Sequence, residues 1–219
     1  MRLIVYMTKG GKYFPIADSL RRDDKTPRGV YINLTNRCDN DCVFCLRRTK
    51  EMTSEASLWL DREPTVDEVT AELRAAPWQL INEVVFCGFG EPTLRLNELL
   101  EILHWIRKNH PTVPTRVNTN GLGELAHGRE IAADFEGLLD TASISLNASN
   151  AARYFQLTRS NYGLQSYEAM LTFAEHMKKF VPNVVLTIVD KVNPPEEIEA
   201  CRKICAARNL NLRVRPFET

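Results

Sequence analysis

The sequence contains no apolar run approaching the ~18 residues that a membrane-spanning helix needs. Its opening apolar stretch, Leu3-Ile4-Val5-Tyr6-Met7, is too short for a signal-peptide core and runs into Lys9 and Lys12. A cytoplasmic location is therefore expected. There is no surplus of either charge, since 28 Lys+Arg face 28 Asp+Glu. Non-specific nucleic-acid binding rests on positive surplus, so charge gives no support to such a partner. Repeats and low-complexity segments are absent. With 44% apolar and 26% charged residues, the composition excludes disordered, collagen-like and coiled-coil chains. The 219 residues suffice for one large domain or two small ones.

What is present after residue 28 is an alternation of two hydrophobic patterns. Short β-branched runs read as buried strands: Val30–Thr35, Glu83–Cys87, Thr115–Thr119, Ala142–Asn147, Asn183–Asp190 and Leu210–Arg215. Helical spacing lies between them. One stripe runs Leu96, Leu99, Leu100, Leu103, Ile106, and another Tyr167, Met170, Leu171, Ala174, Met177. Helices are also expected over Thr65–Arg74, Gly128–Leu138 and Glu196–Arg208, the last opened by Pro194-Pro195. Strict β/α alternation predicts an α/β fold of parallel strands with right-handed crossovers. A closed eight-stranded barrel typically takes about 250 residues, and about 190 follow Arg28. The expected fold class is an open partial (β/α)6 barrel over residues 29–219, preceded by a short amino-terminal extension over 1–28. In that extension Leu3–Met7 and Tyr13–Ile16 flank Gly10-Gly11 as a candidate hairpin, followed by a polar loop over Asp18–Arg28.

Function in such folds sits at the carboxyl ends of the strands. The first strand leads into Cys38-x3-Cys42-x2-Cys45, three of the six cysteines within eight positions. One loop thus carries three thiols toward one object. Thiolate clusters select zinc, copper(I) or iron–sulfur. A closed zinc site takes four ligands, but no fourth cysteine is near and His104, His110, His127 and His176 are scattered. A four-iron cluster held by three cysteines leaves one iron open for a substrate or cofactor. Zinc, a redox disulfide and three unliganded thiols remain alternatives on the residues alone. Helix-forming sequence is expected only well after Cys45, leaving the loop long and irregular.

The run Cys38-Asp39-Asn40-Asp41-Cys42-Val43-Phe44-Cys45 resembles the C-x3-C-x-aromatic-C signature of the radical SAM superfamily. The resemblance implies a [4Fe–4S] cluster on Cys38, Cys42 and Cys45. It also implies S-adenosylmethionine as cofactor, reductively cleaved to a 5′-deoxyadenosyl radical that abstracts hydrogen from a substrate. An electron donor such as flavodoxin or ferredoxin is implied too. Cys87-Gly88-Phe89-Gly90-Glu91-Pro92 resembles the superfamily's Gly-Gly-Glu-Pro segment, which implies that Gly88, Gly90 and Glu91 cradle the methionine end. Phe89 departs from the usual small residue. Asn118-Thr119-Asn120-Gly121 resembles a turn that the family places near the cofactor, implicating Asn120. Ser145-Leu146-Asn147-Ala148 resembles the ribose-binding segment, implicating Ser145 and Asn147, and Phe44 is implied to pack near the adenine.

Strand alternation puts Ser143, Ser145 and Asn147 on one face and Ile144 and Leu146 on the other. Arg213 and Arg215 share a face of the closing strand, to meet an anionic substrate or simply water. Arg47, Arg48 and Lys50, with Arg159 and Tyr162, are weaker candidates for substrate or cofactor contact. Cys87 reads as core. Cys201 and Cys205, four apart on one helix face, also follow an apolar stripe. The lead-in Tyr31–Cys38 and exit Phe44–Arg47 look most like the small TatD-nuclease-associated radical SAM proteins, a likeness that supplies no substrate. Two reaction classes stay open. One is glycyl-radical activation of a partner protein, the other modification of a small molecule or nucleotide. A zinc-binding module is the non-enzymatic alternative.

Overall fold

The β-branched runs become strands and the stripes become helices. The structure, a computed structural model, describes residues 3–21, 26–52 and 57–217. Its strands are β1 (Val5–Lys9), β2 (Lys12–Pro15), β3 (Arg28–Ile32), β4 (Ile81–Phe86), β5 (Thr115–Thr119), β6 (Thr141–Ser145), β7 (Asn183–Val189) and β8 (Asn211–Arg215). Its α-helices are α1 (Leu46–Thr49), α2 (Val66–Arg74), α3 (Leu96–Asn109), α4 (Gly123–His127), α5 (Ala151–Thr158), α6 (Gln165–Met177) and α7 (Pro195–Ala207). The chain divides into two compact units, Met1–Arg37 with Met52–Val117, and Cys38–Glu51 with Asn118–Thr219.

In the first unit β1 and β2 form an antiparallel hairpin, with Tyr6 opposite Pro15 and Lys9 opposite Lys12. β1 also lies antiparallel to β3, with Val5 opposite Ile32. β3 pairs parallel with β4, and β4 with β5. Residues 30–32 and 84–86 are apolar apart from Tyr31 and read as near-continuous buried runs, as parallel strands covered on both faces do. On α3, Leu99, Ile102, Leu103 and Ile106 are fully buried, each contributing roughly 1.5–3 kcal/mol by leaving water. α2 starts at a capping box in which Thr65 and Glu68 bond reciprocally to each other's backbone N–H. Of the loop expected over Asp18–Arg28, residues 22–25 lie outside the described residues, and Ile16–Arg21 is instead a 3-10 turn.

In the second unit β6, β7 and β8 are parallel, with Ser145 opposite Thr187 and Thr187 opposite Arg213. α6 buries Tyr167, Met170, Leu171, Phe173, Ala174 and Met177 against this unit's core. α7 buries Cys201 and Cys205, so those two cysteines are core residues.

Two local expectations fail here, and α4 and α5 were not expected. The helix expected over Gly128–Leu138 is absent. Gly128, at φ 63, ends α4, and only Ala132–Phe135 turns again, as a 3-10 segment. Helix does not wait until well after the cysteines, because α1 begins at Leu46 with Cys45 as its N-cap residue. The sequence reading also missed α5, which Asn150 starts by accepting from the Arg153 N–H at 3.0 Å.

Replacing Thr65 by Ala removes one half of the capping box and should cost about 1 kcal/mol. Urea unfolding should show a lower midpoint with an unchanged m-value. An unchanged midpoint would mean that α2 is held by packing alone.

Candidate functional site

The candidate residues lie at the carboxyl ends of β3, β4, β5 and β6 or in the loops that follow them. In the second unit the cysteine loop is tied down by backbone. The Asp41 N–H donates to Thr158 O at 2.8 Å and the Val43 N–H to Leu157 O at 2.9 Å. The Asn161 N–H donates to Asp39 O at 2.9 Å. The end of α5 therefore holds the loop that the sequence reading took as irregular. Asp41 forms ion pairs with Arg48 and, at 3.7 Å, with Arg159. These two arginines brace the loop.

Cys38, Cys42 and Cys45 form no disulfide, and all three are half-buried. Burial pushes the Cys42 thiol up to about 12, and negative charge on Cys38 and Cys45 adds to the shift. The charge coupling among the three sulfurs opposes their joint ionisation, and a bound metal would supply the missing positive charge. Arg47 Nε donates to Cys45 Sγ at 3.4 Å, and Asn120 Nδ2 approaches Cys38 Sγ at 3.9 Å. Asn40 Oδ1 is buried in the same loop with no hydrogen-bond partner. Among the described residues no three His, Cys, Asp or Glu side chains are grouped as for a single metal ion. This donor set fits an iron–sulfur cluster. It consists of soft sulfur ligands from one loop, with cationic and amide donors aimed at the sulfurs.

The ribose segment differs from simple alternation. β6 ends at Ser145, and Asn147 takes a left-handed φ of 57. The Leu146 and Asn147 N–H groups both donate to Thr187 O, at 2.9 and 3.2 Å. Strand period thus stops two residues before Asn147 and does not carry it onto the Ser143/Ser145 face. Arg213 does reach that face, with Nη2 donating to Ser143 Oγ at 3.2 Å. Phe44 is half-buried in the cysteine loop. Burial pushes the Tyr162 phenol up, with Asp39 adding to it.

In the first unit the Gly-Phe-Gly-Glu-Pro turn is built on close approach. A Cβ on Gly90 would stand 2.3 Å from Thr35 O and 2.5 Å from Arg37 O. A Cβ on Gly88 would stand 2.0 Å from Asn33 Oδ1. At Gly90 the neighbours are backbone, so only glycine fits; at Gly88 the neighbour is the Asn33 side chain, which would have to move for any larger residue. The Glu91 N–H donates to Arg37 O at 2.7 Å. The buried Glu91 carboxylate accepts from the Thr93 N–H at 3.1 Å and from Thr93 Oγ1 at 2.8 Å, capping the 3-10 turn Pro92–Arg95. Tyr6 donates its hydroxyl to Cys87 O at 3.1 Å. Phe89, the departure from the family pattern, is buried edge-on against Trp59, which is 46% exposed.

Sequence reasoning missed Asn33, Thr35, Asn36, Glu63 and Arg95 around this turn. For Asn33, Thr35 and Asn36 the only signal was polarity at the end of a buried strand, and Glu63 and Arg95 had none. A parallel α/β scaffold with its special residues at the strand ends defines the class. Within it, the chain belongs to the Radical SAM superfamily, whose family model matches residues 32–204. Members of that superfamily use a four-iron cluster and S-adenosylmethionine.

GTP 3′,8-cyclase of Corynebacterium glutamicum is 31% identical over 218 residues, covering 94% of this chain and 54% of the relative. Probable GTP 3′,8-cyclase of Thermococcus kodakarensis is 29% identical, covering 75% and 49%. The chain thus spans about half the length of the curated relatives it matches. Among solved structures, Streptococcus suis SuiB bound to S-adenosylmethionine superposes with a TM-score of 0.63 at 17% identity, covering 88% of this chain and 40% of that one. A radical SAM methyltransferase from Sphaerobacter thermophilus gives 0.63 at 16%, covering 87% and 66%. These likenesses show the fold, an α/β fold with a parallel-strand sheet that is not closed.

Gly90→Ala should destabilise by about 1–3 kcal/mol, because rigid backbone faces the new methyl. Gly88→Ala should be partly relieved by Asn33→Ala, where a side chain is what clashes. Thermal melts of the two singles and the double check both, and strict additivity would contradict the contact. In metal-free protein Cys42 should react slowly with iodoacetamide at pH 8 and faster as pH rises, because the thiolate is the nucleophile. Peptide mapping of the label against pH reads this out.

Proposed function

We propose that this chain generates a 5′-deoxyadenosyl radical by reductive cleavage of S-adenosylmethionine. The observation that supports this best is the three-cysteine loop tied by backbone bonds to α5, inside the region matched by the family model. Cys38, Cys42 and Cys45 hold the cluster. Gly88, Gly90 and Glu91 receive the methionine end, Ser145 and Asn147 the ribose, with Asn120 near the cofactor and Phe44 near the adenine. When bound, the cluster supplies the electron that breaks the cofactor's S–C5′ bond. The chain's own residues bind and orient. The loop's ties to α5 fix sulfur positions, Arg47 adds positive charge beside Cys45, and the glycine turn leaves room for a ligand against its backbone.

A nucleotide is the favoured substrate class. The relatives are named GTP 3′,8-cyclases, and Arg213 sets a guanidinium beside Ser143, suited to an anionic group. The likeness to TatD-nuclease-associated proteins rests on the residues flanking the cysteines alone. Glycyl-radical activation of a partner protein is the competing reaction. Neutral overall charge gives no support to a nucleic-acid substrate. Among the described residues no helix is long and apolar enough to cross a membrane. A cytoplasmic setting with flavodoxin or ferredoxin as electron donor agrees with this reading.

Anaerobic reconstitution with iron and sulfide should turn the protein brown, and reduction with S-adenosylmethionine present should release 5′-deoxyadenosine. Cys42→Ala should lose the cluster iron. A colourless zinc protein, or full iron in Cys42→Ala, would sink the proposal. Adding GTP should raise 5′-deoxyadenosine yield if nucleotides are the substrate class. Arg47→Met should make the cluster harder to reduce, because it removes a donor and a positive charge from a ligand sulfur. A redox titration followed by electron paramagnetic resonance checks the direction.

A further inference from the structure

We propose that Glu63, which lies outside every motif, is the positioning residue of the methionine cradle: its carboxylate clamps the Thr35–Arg37 backbone on which Gly90 and Glu91 rest. This inference rests on the functional reading above and deepens it. Glu63 accepts from Thr35 Oγ1 at 2.6 Å, and from Arg37 Nε and Nη2 at 2.6 and 3.1 Å. Thr35 Oγ1 in turn accepts from the Arg37 N–H at 3.0 Å. One carboxylate thereby fixes two residues whose carbonyls form the wall behind Gly90, at the 2.3 and 2.5 Å that only glycine tolerates. The same Arg37 carbonyl accepts the Glu91 N–H.

Glu63 is itself held. Arg95, only 8% exposed, stands 3.6 Å from it. Arg95 also donates to Leu34 O at 3.2 Å, Pro64 O at 2.7 Å and Glu98 at 2.7 Å. The preceding residues form a strap along the same strand end. Asn33 Nδ2 donates to Leu58 O at 2.7 Å. Asn36 and Leu60 exchange two bonds, Nδ2 to O at 2.7 Å and N–H to Oδ1 at 3.0 Å. Side chains at 33, 35, 36 and 37 all therefore reach the 58–63 strap, and Glu63 is its only charged anchor among these contacts. Burial works against its ionised form, but the bonds from Arg37 and Thr35 outweigh burial and hold the carboxyl below the usual carboxylate range. A charge-assisted clamp of this kind fixes geometry more firmly than neutral contacts, and a binding wall displaced slightly loses affinity.

The test uses reconstituted holoenzyme. Wild type, Glu63→Gln, Arg37→Gln and the double variant are titrated with S-adenosylmethionine. The change in the electron paramagnetic resonance spectrum of the reduced cluster reports binding, alongside iron content and thermal midpoint. Glu63→Gln should weaken binding roughly tenfold, the size of one charged hydrogen bond, with iron content and the cofactor-free spectrum unchanged. Arg37→Gln, whose side chain is 60% exposed and so leaves folding intact, should weaken binding less. The double should be no worse than Glu63→Gln alone. Wild-type affinity in Glu63→Gln, or affinity falling only in step with iron loss, overturns the clamp alone. A wild-type protein whose spectrum ignores S-adenosylmethionine overturns the functional reading and the clamp with it.

Discussion

Three thiols confined to eight residues of one loop impose the constraint from which much of the second unit follows. Burial and mutual repulsion keep Cys42 protonated without a compensating cation. Burial raises the Cys201 and Cys205 thiols of α7 in the same way, but those two are packed as small hydrophobes in the core, whereas the three loop sulfurs are only half-buried. The loop is held by contacts outside the sulfurs. These are the backbone bonds to the end of α5 and the two arginines on Asp41.

The first unit answers a different demand with the same economy. Its Gly-Phe-Gly-Glu-Pro turn brings main chain against main chain, which leaves no tolerance for movement. Rigidity there comes from polar side chains of the strand end gripping a neighbouring segment, with Arg95 buried beneath. Apolar packing alone is non-directional and fixes distance poorly; hydrogen bonds to named carbonyls fix it well.

The strands and the long helices were legible because buried parallel strands and amphipathic helices write their period directly into hydrophobicity. Five of six strand expectations shifted by one to three residues at an end, while Thr115–Thr119 matched. Gly128–Leu138 failed because apolar content without capping does not make a helix, and its glycine had already closed the previous one. α5 was invisible because eight residues carry too short a stripe, and its start depends on a single asparagine. At the site, cysteine and glycine positions stood out by residue type. Asn33, Asn36, Glu63 and Arg95 did not, because their partners are backbone carbonyls and side chains distant in sequence, and no local pattern encodes them. Asn147 was assigned to a strand face by period, yet left-handed backbone breaks that period at the decisive residue.

The amino-terminal hairpin has a consequence of its own. β1 covers the edge of β3 that would otherwise display unpaired amide and carbonyl groups. Ile4 O accepts the Asn33 N–H at 2.8 Å, and the Asn33 side chain fills the place where a Gly88 Cβ would stand. Asn33 thus joins the segment that opens β1 to the glycine turn. A substitution that strains β1 would move Asn33 against the Gly88 turn before it registered as loss of secondary structure. β1, remote in sequence from every motif, is in this way a lever on the glycine turn.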